Sequence, residues 1–422
     1  MFSARVPESL EPGPWARRRA ALERSGRPLL DLTDHNPTNL GLHDPEDGGL
    51  RALASEEVRA GSLRYAPDPM GFVGAREAIA AYCAEHGASV SPAQILLTAG
   101  TSEAYAHAFR LLADPGESFL VPRPSYPLFE PLAAAEAVRL RSYPLRYEAR
   151  RGWRFDLAAM RAAFESDVRS EARSGVDGAT RGLVVVHPNH PTGSSPTRDE
   201  ANELAAFCAR ANIALIADEV FLDSHDDGPR AGEVAPSFAA LADAASAASA
   251  SAGADGPLTL VFSGLSKVCG WPQLKCGWIV VTGPQAVRDA ALERLAWIAD
   301  TFLTVATPVQ FALPAILAGR EAFQRNVCAR IRENRAALDA TLERLPECGR
   351  LETDGGWSAV VTFPPERSDE EWALALLELE VVVHPGYFYD FEEPGRIVLS
   401  LLPPPDRFAE GLDRISSLVR KS

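Results

Sequence analysis

The stretch SGLSKVCGWPQLKCGW, residues 263–278, follows a short apolar run and places Lys267 at the start of a glycine-rich turn. A lysine that leaves the end of a buried strand can be held in a dry cleft, where desolvation lowers the pKa of its amine. Such an amine is a nucleophile toward carbonyl groups. Taken alone, the pattern is equally typical of a solvated loop lysine, so its meaning depends on the rest of the chain.

Working outward from this stretch, helical and strand-like segments alternate along most of the chain, which is typical of an α/β fold. Short apolar runs bounded by turn residues predict buried strands of a mostly parallel central sheet, at residues 94–97, 118–121, 183–186, 213–217, 258–262 and 278–281. Amphipathic helices are predicted at residues 74–86, 198–211 and 285–299.

A chain of 422 residues is long enough for about two domains. We expect a large domain at residues 45–307 and a smaller α+β domain built from residues 1–44 and 308–422. In the latter we predict a long helix at 309–343, strands around 357–363 and 397–401, and a closing helix at 406–419. Residues 171–180 and the Ala/Ser-rich residues 237–256 are interpreted as surface insertions.

The composition argues against several classes of protein. A net charge of −15 disfavours a nucleic-acid partner, which needs a basic face. No apolar run is long enough to span a bilayer, and the N-terminus lacks a signal-peptide core, so we expect a cytoplasmic protein without a membrane partner. The six cysteines form no CxxC pair, and therefore neither a metal site nor a disulfide framework is expected.

Two further motifs place charge and backbone donors at strand ends. Asp218 follows the apolar run IALIA, at the end of a predicted strand, where α/β sheets bind ligands. The segment LLTAGTSEA, residues 96–104, predicts a strand that turns into a helix near Ser102. Because a helix N-terminus binds phosphate, Gly100, Thr101 and Ser102 form a candidate anion site. Ordinary helix caps would explain both motifs equally well.

Four more segments are ambiguous singly: RYAPDPMGFVGAR (64–76), PGESFLVPRPSYPLF (115–129), HPNHPTG (187–193) and EEPGRIVLSL (392–401). In this order and at these spacings, the whole set resembles the class I/II aminotransferases, which depend on pyridoxal 5′-phosphate (PLP), adopt fold type I and are similar to aspartate aminotransferase. The resemblance covers residues 31–419.

The resemblance implies a role for each matching residue. Lys267 carries PLP as a Schiff base and acts as the general base, and Asp218 keeps the pyridine nitrogen protonated. The other residues implied to bind the cofactor are Tyr65, Gly100, Thr101, Ser102, Tyr126, Asn189, Ser266 and Lys275. Among them, Tyr126 stacks on the ring and Asn189 is taken as the asparagine of the family's NPxG turn.

The substrate and the assembly also follow from the resemblance. Arg396, Asn189 and Asn36 are expected to bind the substrate, with the Arg396 guanidinium on its carboxylate. Tyr65 is expected to reach the active site of a neighbouring subunit, so a homodimer is predicted.

The chain departs from the family at several matching positions. Lys275 replaces an arginine that grips the phosphate, Phe221 replaces a tyrosine, Gly264 replaces a serine, and His35 stands where glycine is common. These changes leave Lys267 and Asp218 in place.

The implied activity moves an amino group between an α-amino acid and a 2-oxo acid. Residues 299–301 lack the second arginine of dicarboxylate-specific relatives, so a substrate with a neutral or aromatic side chain is expected, with Trp357 and Tyr126 as walls. A PLP-dependent β-eliminating lyase or a biosynthetic synthase on the same fold remains open as an alternative. The other alternative is a regulator or binding module that keeps the PLP fold but has lost enzymatic turnover.

Overall fold

The computed structural model describes residues 2–43, 48–149, 151–174, 178–225, 230, 232–249 and 256–421. The helices are α1 Pro14–Arg24, α2 Gly48–Leu53, α3 Glu56–Ser62, α4 Val73–Glu85, α5 Thr101–Leu112, α6 Phe129–Ala135, α7 Leu157–Ser174, α8 Arg198–Ala211, α9 Phe238–Ser249, α10 Leu265–Val268, α11 Gln285–Asp300, α12 Thr307–Ala318, α13 Arg320–Leu342, α14 Asp369–Glu378 and α15 Pro405–Val419.

The strands are β1 Leu30–Asp31, β2 Ile95–Thr98, β3 Ser118–Arg123, β4 Arg139–Glu148, β5 Gly152–Phe155, β6 Thr180–Val186, β7 Ala214–Asp218, β8 Thr259–Gly264, β9 Gly277–Thr282, β10 Gly349–Arg350, β11 Ser358–Thr362, β12 Val381–Val382, β13 His384–Pro385 and β14 Arg396–Ser400.

The larger sheet has eight strands in the order β2-β9-β8-β7-β6-β3-β4-β5. Its centre, from β8 to β4, is parallel, while β9 and β5 run antiparallel to their neighbours. All six predicted strands of the large domain are present in this sheet. The α/β class with a mostly parallel central sheet, as expected from the sequence, is therefore confirmed.

The strands of this sheet are buried on both faces, which explains their continuous apolar runs. In β7, Leu215 and Ala217 pack into the core on one face, whereas Ala214 and Ile216 pack into the core on the other face. By this alternation Asp218 points to the same face as Ile216, the face that α5 covers. Strand packing therefore decides which helix the carboxylate meets.

The smaller sheet has the order β10-β11-β14-β13, and its strands are antiparallel. Buried side chains of α13, α14 and α15 pack in the same core as this sheet, among them Trp372 and Phe408. The N-terminal segment joins this core, since Leu30 pairs with Val381 in parallel and Leu32 is buried beside it. The N-terminal segment thus contributes a short strand that the sequence did not predict.

The helix predicted at 309–343 is two helices, because the chain ends α12 at Ala318 and restarts as α13 after Gly319. The buried face of α12, including Leu313 and Ile316, packs into the large core with Ile79. The domain division stays a prediction, and this packing favours a boundary after α12. The other predicted boundary, at residue 44, lies outside the described residues.

The two predicted insertions are only partly covered. Helix α7 extends to Ser174 and α9 covers Phe238–Ser249, while residues 175–177 and 250–255 lie outside the described residues. None of the described helices combines the length and the apolar character that crossing a bilayer requires.

Candidate active site

A cavity of about 550 Å³ lies at the edge of the large sheet where β2, β6, β7 and β8 have their carboxyl ends. Crevices at this edge are the usual ligand sites of open α/β sheets. The cavity is lined by His35, Ala99, Gly100, Thr101, Ser102, Glu103, Tyr126, Val186, His190, Asp218, Val220, Phe221, Gly264, Ser266, Lys267, Pro272, Lys275, Cys276, His384 and Tyr389.

Lys267 enters the cavity from α10, which starts directly after β8. Its Nζ lies 4.6 Å from the centre of the Trp357 ring and 5.4 Å from that of Phe221. Desolvation lowers the pKa of Lys267 to about 8, although the carboxylate of Asp34 acts in the opposite direction. At pH 7 roughly a tenth of this amine is therefore unprotonated and nucleophilic, far more than for an ordinary lysine.

Asp218 ends β7 and is buried, with 5% of its surface exposed. The hydroxyl of Tyr105 donates to Oδ2 over 3.0 Å, and the backbone N–H of Val220 donates to Oδ1 over 3.2 Å. Desolvation raises the pKa of Asp218 to about 6, against the lowering effect of these two bonds. Above that pH the carboxylate is a fixed anion in the cavity.

An anion site lies where β2 turns into α5. Gly100 has φ +148°, a conformation that glycine adopts without strain, and the N–H groups of Thr101 and Ser102, the first two residues of the helix, have no acceptor within it. The Nζ of Lys275 lies 3.8 Å from the position that a Cβ on Gly100 would occupy. Thr101 and Ser102 complete this part of the lining, as the sequence predicted.

Tyr126 and Ser266 also line the cavity, as expected. Burial raises the pKa of Tyr126 to about 12, so its phenol is neutral. Gly264, the departure from the family's serine, has a packing reason. A Cβ at this position would lie 3.0 Å from the carbonyl oxygen of Cys276 and 3.0 Å from the Cα of Gly277 on the neighbouring strand.

Asn189 is not brought into the cavity. Its Nδ2 donates to the carbonyl oxygen of Pro124 and to Oγ1 of Thr192, and its Oδ1 accepts from the hydroxyl of Ser125. With 2% of its surface exposed, the amide is occupied in holding its own loop. The geometry therefore does not support the expected contact of Asn189 with a ligand.

His190, one residue later, takes the cavity position that was expected of Asn189. Its ring stacks at 6.1 Å on Phe221 and meets Tyr389 edge-on at 5.3 Å. The signal was present in the sequence, because the residue before Pro191-Thr192-Gly193 in the NPxG pattern is His190.

Two other expected substrate ligands also lie outside the lining. Asn36 caps the short turn Pro37–Asn39, since its Oδ1 accepts from the N–H and the hydroxyl of Thr38. Arg396 starts β14, and its backbone N–H donates to Asp369. The Nε of Arg396 is buried and meets no hydrogen-bond acceptor in the described part of the chain.

Tyr65 lies away from the cavity and is 84% exposed. It lines a separate pocket of about 450 Å³ together with residues of α3, α12 and the turn before α4. Within one subunit, the structure therefore does not join Tyr65 to the predicted cofactor residues.

Sequence reasoning missed several residues of the site, namely His190, His384, Tyr389, Ser358 and Tyr105. His384 accepts or donates a bond of 2.8 Å with the Tyr389 hydroxyl, and its ring meets that of Trp15 from α1 at 5.8 Å. Desolvation lowers the pKa of His384 to about 4. Apart from His190, which the NPxG pattern indicates, these residues come from segments that only folding brings together, so sequence spacing gave no signal for them.

The cavity fits PLP on four observations. Lys267 offers an amine of lowered pKa to an aldehyde, Asp218 offers an anion to the ring nitrogen, and Tyr126 offers an aromatic face. The α5 N-terminus with Lys275 offers a cationic cup to the phosphate.

Comparisons with known proteins also support a PLP site in this chain. Residues 35–415 match the family described as aminotransferase class I and II. Alanine aminotransferase from Mycobacterium tuberculosis is 25% identical over 96% of this chain and 89% of its own length. Human tyrosine aminotransferase is 25% identical over 93% of this chain and 81% of its own length.

Among solved structures, alanine aminotransferase from Pyrococcus furiosus superposes with a TM-score of 0.83 at 22% identity, covering 100% of both chains. That likeness supports the fold. The family match extends over most of the chain and includes Lys267, Asp218 and the anion site. The chain therefore belongs to the class I and II aminotransferase family and is a PLP-dependent aminotransferase of fold type I.

Proposed function

We propose that this aminotransferase takes its amino group from an α-amino acid with a neutral or aromatic side chain and delivers it to a 2-oxo acid. The observation that carries the proposal is the wall of the cavity. Its rings are those of His35, Tyr126, His190, Phe221, His384 and Tyr389. Lys267 and Lys275 are the lysines among the described lining residues, and no arginine is among them. Arg396, outside the lining, is our candidate for the α-carboxylate of the substrate, so the lining offers no guanidinium to a second carboxylate.

The names of relatives support the same substrate class. One is called alanine aminotransferase and another tyrosine aminotransferase, which correspond to a small neutral and an aromatic side chain. A cavity walled by rings accommodates an aromatic side chain by edge and face contacts. We therefore expect alanine and aromatic amino acids to outperform aspartate.

When bound, PLP supplies an electrophilic carbon for the amino group and a ring that withdraws electrons from the substrate Cα. Lys267 would supply the amine that anchors the cofactor, and its Nζ would afterwards take the proton from the substrate Cα and deliver it to a carbon of the cofactor. Its lowered pKa suits this task, because a group with a pKa of about 8 both gains and loses a proton near neutral pH.

Asp218 would hold the ring nitrogen in its protonated form, and Tyr105 and Val220 would keep the carboxylate oriented. Gly100, Thr101, Ser102, Ser266 and Lys275 would hold the phosphate, with Tyr126 against the ring. We keep Asn189 as a residue that positions the loop bearing His190, since its own amide is occupied.

Arg396 remains our candidate for the substrate carboxylate. Its buried Nε has a hydrogen-bonding capacity that no described acceptor satisfies, and an incoming carboxylate would satisfy it. Arg396→Ala should raise the KM of every amino acid by about tenfold or more, because a charge-assisted bond is lost. Asn36→Ala should have a smaller effect, since its amide caps a turn.

The test is a panel of amino acids, each mixed with pyruvate or 2-oxoglutarate and the holoenzyme, followed by identification of the new amino acid. Turnover of alanine, phenylalanine or tyrosine well above that of aspartate supports the proposal. Preference for aspartate overturns it. Lys267→Ala is the control for background reaction, and it should also lose the visible absorbance of the bound cofactor.

The second candidate is a β-eliminating lyase on the same fold, which the cavity residues do not distinguish. It predicts release of ammonia and a 2-oxo acid from a β-substituted amino acid without any oxo-acid acceptor. Dependence of turnover on an added oxo acid excludes it.

We further propose a homodimer in which Tyr65 completes the partner's active site. Tyr65 is exposed and lies beside the similarly exposed Leu63, which suits burial against a second copy. Mixing Lys267→Ala with Tyr65→Ala subunits tests this, because a hybrid dimer regains one intact site. No regained activity, or a monomer by light scattering, contradicts it.

We also propose that the protein works in the cytoplasm, since none of its six cysteines, which all lie in the described part of the chain, forms a disulfide, as suits a reducing compartment. Fractionation of cells that express it provides the test.

For the domain division we propose a large domain near residues 45–307 and a small domain built from the two ends of the chain. Limited proteolysis should cut first near the boundaries between them.

A further inference from the structure

A chain of polar contacts leads from the N-terminal segment to the cavity. The Nδ1 of His35 lies 2.8 Å from the carbonyl oxygen of Thr33, and its Nε2 lies 2.8 Å from Oγ of Ser358. The same Oγ lies 3.3 Å from Nδ1 of His190. His190 is thus connected through Ser358 and His35 to a backbone carbonyl.

Both imidazoles in this chain are neutral near pH 7.5. The pKa of His35 falls to about 3, mainly through desolvation, with Lys267 and His384 acting in the same direction and the Thr33 carbonyl and Asp31 acting against it. Desolvation also lowers the pKa of His190 well below its usual value, with His35, Lys267 and His384 acting in the same direction. The rings of Phe221 and Tyr389 pack on His190 and bring no charge. Each ring therefore has one donor nitrogen and one acceptor nitrogen.

The position of each proton follows from the carbonyl at the end of the chain. A carbonyl oxygen only accepts, so the proton of His35 is on Nδ1 and its Nε2 is a bare acceptor. The hydroxyl of Ser358 must then donate to that Nε2. Its oxygen is left to accept, and therefore the proton of His190 is on Nδ1.

We propose that this relay fixes His190 in the Nδ1–H tautomer, so that its Nε2 lone pair faces the cavity and accepts a hydrogen bond from the amino group of the substrate. His190 is then a substrate-binding residue, and Ser358 and His35 are positioning residues that act through it. The proposal deepens the function proposed above and rests on the same cavity.

The relay gives the site a preference that a freely turning imidazole would lack. With the tautomer fixed, Nε2 offers an acceptor to an N–H group and nothing to a carbonyl oxygen. An amino acid brings an ammonium group, whereas a 2-oxo acid brings an oxygen in its place. The two half-reactions should therefore depend differently on Ser358.

The first test is long-range ¹H–¹⁵N NMR of the PLP-loaded enzyme labelled on its eight histidines, with His190→Asn used to assign His190. We expect a protonated Nδ1 and a bare Nε2 at His190. In Ser358→Ala the ring should move toward the Nε2–H form. His35 should keep its proton on Nδ1, because its bond to the Thr33 carbonyl is retained.

The matched control is Ser224→Ala, which removes another hydroxyl beside Trp357 that accepts from its indole N–H at 2.9 Å and touches no part of the relay. This control should leave His190 unchanged. A bare Nδ1 at His190 in the wild type, or a His190 signal that Ser358→Ala leaves unaltered, overturns the proposal.

The second test is kinetic. Ser358→Ala should raise the KM of the amino acid by about tenfold, the size of one lost hydrogen bond, and change that of the oxo acid by less than about twofold. Equal changes in both KM values contradict the proposal. Because the NMR result needs no substrate, a wrong substrate class would leave it intact, so the two proposals fail separately. His35→Phe, which removes the acceptor for Ser358, should reproduce the Ser358→Ala spectrum at His190.

Discussion

The hydroxyl of Tyr105, on α5, donates a hydrogen bond of 3.0 Å to the carboxylate of Asp218, at the end of β7. Both residues are buried, and the same helix α5 begins at the candidate phosphate site. One helix therefore contacts two ends of the cofactor site, the anion cup with its first turn and the ring partner with a residue in its second turn.

Tyr105→Phe should make PLP binding weaker and more sensitive to acid. The pKa of Asp218 is about 6 with the Tyr105 bond in place, and that bond lowers it. Without it the carboxylate takes up a proton at a higher pH, and the protonated form cannot pair with a pyridinium. The dissociation constant of PLP, measured by absorbance between pH 8 and 5, should rise as the pH falls. In the variant this rise should begin at a higher pH than in the wild type. An unchanged profile would exclude this role.

Lys275→Ala should weaken PLP binding by about tenfold, the scale of one charge-assisted contact, while Lys275→Arg should retain most of it. Lys275 lies next to Gly100 at the α5 N-terminus, where a phosphate would sit. Equilibrium dialysis measures the affinity, and pyridoxal without its phosphate is the matched ligand. If the Ala variant loses as much affinity for pyridoxal as for PLP, Lys275 does not act on the phosphate.

Glu219→Gln should stabilise the PLP-free protein above pH 7 and lose that advantage in acid. Glu219 is buried, accepting from Ser237 and from the Phe238 N–H, and desolvation raises its pKa from 4.5 to about 7. A raised pKa means that the folded state holds the proton more tightly, so wild-type stability falls as the pH rises from about 4.5 to about 7. The gain at pH 8 should be about 1–3 kcal/mol.

The measurement for Glu219 is the thermal unfolding midpoint of both proteins between pH 5 and 8. Glu57→Gln, on the exposed first turn of α3, is the control and should leave the profile unchanged. A difference between wild type and Glu219→Gln that does not vary with pH would rule out the titration of Glu219 as its cause.

Gly264→Ser, which restores the residue common in the family, should destabilise this protein by about 1–3 kcal/mol, the usual cost of overpacking. The added Cβ would lie 3.0 Å from backbone atoms of the adjacent strand, which cannot move aside cheaply. Gly256→Ser, where a Cβ would meet nothing within 4 Å, is the control. Thermal unfolding measures both, and a Gly264→Ser protein as stable as wild type would show that β8 and β9 can separate.

The central sheet could be predicted because its strands are buried on both faces and read as apolar runs. Strand β4, which is second from the edge of the sheet, could not be predicted, since Arg139, Arg141 and Arg146 interrupt its apolar pattern. The break between α12 and α13 was also missed, because the helical pattern continues on both sides of Gly319. The sequence therefore predicts the buried central strands well, and the outer strands and the breaks between helices less well.

Within the site, the residues that follow strand ends were predictable from sequence. Lys267, Asp218 and Gly100 all leave strands at the same edge, so topology alone gathers them. Asn189 and His190 are neighbours in one turn, and the structure brings the His190 side chain into the cavity, as the spacing of the NPxG pattern indicates. The Ser358 and His35 contact joins segments that are 323 residues apart, and no local pattern announces it.

The edge contact between Trp15 and His384 has a practical consequence for anyone who shortens this chain. Removal of α1 would strip away the indole that backs one wall of the catalytic chamber, and with it part of the shelter that keeps a nearby imidazole uncharged. The first two dozen residues therefore support the active site. Their removal should disturb the cavity wall at His384, near the other end of the sequence.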